Sequence, residues 1–148
     1  MRAAVIRRLR ARLGRRGLFL AFMGVGKVCW GLGIIVQPPP TAGLGLLTGI
    51  APLHCWAWVW IVAGTVTFAS AWVPFGQDRW GFLAASLPPA LWAFVYGWAA
   101  LLGEYPRGVF VFLWYITSHC GVIWCASRVP PGGDRVRPTR RAVEGSPG

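Results

Sequence analysis

The chain has 148 residues, of which 55% are hydrophobic and only 13% charged, with ten tryptophans and a mean hydropathy of +0.52. A soluble domain carries about a quarter charged residues, and a soluble core of this length cannot hide so much apolar surface. The net charge of +11 does not point to nucleic acid, because seven arginines precede Leu18 and five follow Ala126; charge that flanks apolar runs is a topology signal.

Residues 1–17 form a basic arm containing Arg2, Arg7, Arg8, Arg10, Arg12, Arg15 and Arg16. Val5, Leu9 and Leu13 recur among the arginines at helical spacing. This pattern predicts a basic amphipathic helix on the inner leaflet, drawn to anionic lipid by about 1 kcal/mol per arginine. The apolar run that follows is longer than the core of a secretory signal, and "VQPPP" is a poor cleavage site, so residues 18–36 read as a span rather than a leader.

Four apolar segments follow one another at 18–36, 53–73, 80–102 and 109–126. Each has the length a helix needs to cross the hydrocarbon, and none alternates as a barrel strand does. Backbone polar groups in lipid must pair internally, which leaves helices. The fold class is therefore all-α: a polytopic membrane protein with four transmembrane helices in a small bundle. A basic tail over 127–148, rich in proline and glycine, is expected to be disordered. With arginines in both the arm and the tail (Arg128, Arg135, Arg137, Arg140 and Arg141), both termini are expected in the cytoplasm and the spans in the plasma membrane. An even number of spans agrees with this. Arginine in place of lysine, with abundant alanine, glycine and proline, is the bias of a GC-rich coding sequence of actinobacterial or phage origin.

Span one holds Lys27, the only lysine. It lies ~13 Å inside the span's start at helical rise. Gly17, Gly24 and Gly31 recur every seven residues on nearly the same face, a helix-packing pattern, so Lys27 is expected to face other helices. No aspartate or glutamate lies within a span. The alternatives for Lys27 are a carboxylate on another protein, a polar-paired or neutral lysine, a water-lined path, or snorkelling. In span three, Pro88 and Pro89 predict a helix kink or a break after Leu87. Broken helices of this kind occur at transporter sites, and plain kinks elsewhere.

In span four His119 lies at a depth similar to Lys27, with Tyr115, Ser118, Val122 and Cys125 on its helical side. Lys27, His119, Tyr115 and Ser118 are thus intramembrane polar candidates. They form either a cluster between spans one and four or, for His119, a neutral ring bonded to a neighbouring carbonyl. His54 and His119 are ~15 Å apart in depth at helical rise, too far for one ion, so no metal site is expected. Cys29, Cys55, Cys120 and Cys125 form no C-x-x-C, the pairing that four-span disulfide-generating oxidoreductases need. The four-span small multidrug transporters depend on a glutamate in span one, where this chain has Lys27. Catalytic signatures are missing, so neither an enzyme nor a cofactor is expected. The sequence reads best as a non-enzymatic membrane subunit or accessory protein. A holin-like pore former is the alternative, and a small transporter the second. The expected partners are the lipid bilayer, anionic lipids at the basic ends, and either a homo-oligomer or an acidic-residue-bearing membrane partner; nucleic acid is not among them.

Overall fold

The computed structural model describes residues 2–74 and 76–129, with side chains from Leu13 onward. The tail expected to be disordered, 127–148, lies mostly at residues 130–148, outside the described residues. The regular elements among the described residues are all helices, without strands. In chain order they form α1 (Arg2–Val36), the short α2 (Gly45–Thr48), α3 (Leu53–Ala69) with a closing 3₁₀ turn at Ser70–Trp72, α4 (Arg79–Leu101), α5 (Gly108–Trp114), a π-helical segment (Tyr115–Gly121) and α6 (Val122–Ser127). Among the described residues, four stretches are long and apolar enough to cross a membrane: Leu13–Val36, Leu53–Trp72, Arg79–Leu101 and Gly108–Ser127. This is the architecture of a multi-pass membrane protein. Its surface agrees, since Phe22, Val36, Leu101 and Phe110 are all more than two-thirds exposed, an arrangement that lipid stabilises and water does not.

The junction between arm and first span differs from the expected one. Helical backbone runs from Arg2 to Val36, and its one non-helical residue is Gly14, at φ 61° and ψ −177°. That left-handed φ favours a residue without a Cβ. The helix is therefore interrupted before Arg15 and Arg16, and both belong to the second piece of α1. The prolines at 38–40 then end α1, since they cannot donate to its last turn.

Packing of α1 against α3 is the largest contact in the bundle. Among the described side chains, the buried residues of α1 are Gly17, Leu20, Gly24, Lys27, Gly31 and Ile34, a strict alternation of three- and four-residue steps. On α3 and its closing turn they include Leu53, Ala57, Trp60, Gly64, Thr67 and Ala71, stepping the same way. Such a stripe is the seam of a left-handed helix pair. The small residues meet in antiparallel register: Gly17 opposite Ala71, Gly24 opposite Gly64, and Gly31 opposite Ala57.

Span three is continuous. α4 runs from Arg79 to Leu101 through Pro88 and Pro89 without interruption, so that of the kink or break expected after Leu87 the break does not occur. Both prolines are fully buried against neighbouring helices, and tertiary packing of this kind lets a membrane helix absorb the lost donors. The segment between α1 and α3 folds back on the bundle. Leu44 and Leu47 are buried in one core cluster with Trp60 and Trp92, and the Trp56 indole N–H donates to the Leu47 and Ala51 carbonyls at 3.0 and 3.2 Å. A second cluster, around Leu20, Phe82, Ala85 and Ile123, closes the end of the bundle nearest Arg16.

Candidate functional site: a half-open cleft at Lys27

Span four is not a uniform α-helix. The Thr117 hydroxyl donates to the Leu113 carbonyl at 2.7 Å, and the Ser118 hydroxyl to that of Trp114. Hydroxyls that bond back to the carbonyl four residues earlier compete with the helix's own N–H groups. Here the helix widens over Tyr115–Gly121 into i→i+5 geometry, the kind of bulge that recurs at functional sites. The signal was present in the sequence as the Thr117–Ser118 pair.

That widened segment faces α1 across a gap. Among the described residues, the backbones of α1 and the π segment make no close approach, although α1 and α6 meet at the Arg16 end. The gap is a cleft of about 240 Å3. Phe22, Gly26, Lys27 and Trp30 of α1 form one wall, Trp60 of α3 lies at its base, and Trp114, Tyr115 and His119 form the other wall. Lys27, Tyr115 and His119 thus line one space. Ser118 does not line it: it is exposed, with its Oγ 2.9 Å from His119 Nδ1. His119 packs between the rings of Trp114 and Tyr115, at 4.8 and 5.2 Å.

Lys27 is only 3% exposed. It occupies the seam position that Leu20 and Ile34 hold one heptad to either side. Its Nζ lies 5.3 Å from the Trp60 ring centroid, a cation–π contact worth about 0.5–2 kcal/mol. Among the described residues it has no hydrogen bond and no ion pair. A lysine at mid-bilayer costs at least about 2.5–3.5 kcal/mol, so the ring does not offset the whole burden. Trp60 adds a second unmet group, because its buried Nε1 has no hydrogen-bond partner among the described residues.

Sequence reasoning missed the other charged centre. Arg16 donates through Nε to Asp78 Oδ2 at 2.9 Å, and its Nη2 sits 2.9 Å from the same oxygen. Its Nη1 donates to the Ser127 and Val129 carbonyls, and the guanidinium lies 4.7 Å from the Phe82 ring centroid. One side chain thus ties α1, the α3–α4 turn and the end of α6 together. In the sequence Arg16 reads as flanking charge of the arm and Asp78 as an acid outside the spans, since nothing in a sequence pairs residues so far apart.

The glycines expected to serve helix packing, Gly17, Gly24 and Gly31, all face α3. The four cysteines are unpaired, and among the described residues no three His, Cys, Asp or Glu side chains gather as metal ligands would. The chain matches no protein-family model, and comparison with curated proteins and with solved structures yields no match.

Proposed function

We propose that the protein is a small, non-enzymatic subunit or accessory protein of the plasma membrane, with both termini at the cytoplasmic face, which packs with itself or with another membrane protein inside the bilayer. The observation that carries this reading is the buried, unneutralised Lys27 at the wall of a cleft between spans one and four. A cation held there is stabilised by a group that the chain's own spans do not supply, and a partner in the membrane supplies it. The wall residues offer no nucleophile–base–acid arrangement of the sort an acid–base enzyme uses.

The test is site-specific photo-crosslinking in cells that carry the gene, with the reactive group at Phe22 on the rim of the cleft. A discrete protein adduct, lost in Lys27→Met while expression is retained, is the expected result. Lipid adducts alone would overturn the reading, and so would collapse of the membrane potential on induction, the mark of a holin-like pore. Saturable uptake of a solute dependent on His119 would favour a transporter instead.

A further inference from the structure

We infer that the cleft seats a transmembrane helix of a different chain, one that carries a single aspartate or glutamate at mid-depth, with its carboxylate beside Lys27 and its backbone lying along Gly26 and Gly33. This rests on the membrane-subunit reading and names the partner.

Charge decides the sign of the occupant. Lys27 is buried and lines the cleft, and among the described residues its ammonium has no hydrogen bond or ion pair, only the face of the Trp60 ring. A carboxylate is the group that neutralises it and accepts its hydrogen bonds. A second copy of this chain does not have one at that depth. Its four acids are Asp78, held by Arg16, Glu104 in the α4–α5 turn, and Asp134 and Glu144 near the C-terminus. None lies in a span.

Size and surface decide its form. At about 240 Å3 the cleft falls below the roughly 300–1,000 Å3 of pockets that enclose a whole small molecule, but it takes a carboxylate side chain. Beside it, Gly26 and Gly33 lie one heptad apart on the side of α1 turned away from α3. A Cβ at either would meet nothing within 4 Å. Bare backbone on a membrane helix permits the close approach of a second helix, and acyl chains need no such bareness. Gly26 also lines the cleft, so the seam and the charge address the same visitor. Tyr115 and His119 on the far wall provide donors for the second carboxylate oxygen.

The full chain, in nanodiscs of phosphatidylcholine, is titrated with a leucine-rich spanning peptide bearing one central Asp, or Asn or Leu in its place, and binding is read by energy transfer. The Asp peptide is expected to bind roughly tenfold or more tightly than the others, and Lys27→Met and Gly26→Leu each to abolish that advantage. Charge reversal guards against a folding artefact: Lys27→Asp is expected to prefer a peptide with a central Lys. Equal binding of all peptides overturns the inference, as does an Asp preference that survives Lys27→Met. Lys27-dependent binding of oleate that excludes the peptide makes a lipid carboxylate the occupant and overturns it too, as does Lys27-dependent self-association. A protein adduct at Phe22 combined with no Asp preference leaves the membrane-subunit reading standing and removes only this one.

Discussion

Gly24 and Gly64 meet backbone to backbone where α1 crosses α3. A methyl group on Gly24 would lie 2.7 Å from the Gly64 carbonyl oxygen, and one on Gly64 would lie 2.8 Å from that of Gly24. On each side the facing carbonyl oxygen is in the way, and a main-chain atom moves only if the helices separate. Gly24→Ala is therefore expected to destabilise the bundle by about 1–3 kcal/mol through overpacking. Gly26→Ala, on the open side of the same helix, is expected to be neutral or to stabilise by up to about 1 kcal/mol through helix propensity. Unfolding in mixed micelles with rising SDS measures both, and equal effects would refute the α1–α3 seam.

Arg16 and Asp78 form a mostly buried pair that also satisfies two carbonyls at the end of α6. Removing one partner leaves the other charge stranded, at a cost of about 3–5 kcal/mol. Asp78→Asn is expected near the lower end of that range, because the amide still accepts a hydrogen bond. Arg16→Lys is expected to rescue little, since an ammonium lacks the planar fork that reaches Asp78 and the carbonyls together. Arg16→Met combined with Asp78→Leu is expected to recover much of the loss. The same SDS titration, run as a double-mutant cycle, decides it.

For Lys27 the expectation reverses. Lys27→Met removes an unneutralised ammonium from the bundle and gives up only the Trp60 ring contact. The isolated chain should gain about 1–2 kcal/mol, even as it loses the proposed partner. Stability bought by removing a functional group is a familiar trade. A loss of stability would mean that Lys27 is already satisfied within the chain.

The proposed orientation is open to labelling. Cys55 is exposed at the start of α3, and Cys125 is exposed at the end of α6. With both termini inside, a membrane-impermeant maleimide added to intact cells is expected to label a variant that retains Cys55 alone and to spare one that retains Cys125 alone. The opposite pattern inverts the topology.

By itself the sequence determined the number of spans, their helical nature and the proximity of one helix face to another. The hydrocarbon core demands some twenty apolar residues per crossing and a backbone that satisfies itself, so run length and composition decide these points locally. The heptad of Gly17, Gly24 and Gly31 was legible for the same reason: it is a period along one helix. Its complement on the next helix, Ala57, Gly64 and Ala71, carries the same period. Which of these faces which is a register between two helices, and that belongs to the pair rather than to either sequence. Only the tertiary structure joined Arg16 to Asp78 and carried α4 through Pro88 and Pro89, because surrounding side chains compensate what those residues cost alone. It also set Lys27 opposite His119 and Tyr115 across a cleft. Depth along a helix follows from residue number, but azimuth depends on how each rod rotates as it packs. In span four the helix widens over Tyr115–Gly121, the segment that carries His119, and a widened turn changes that rotation.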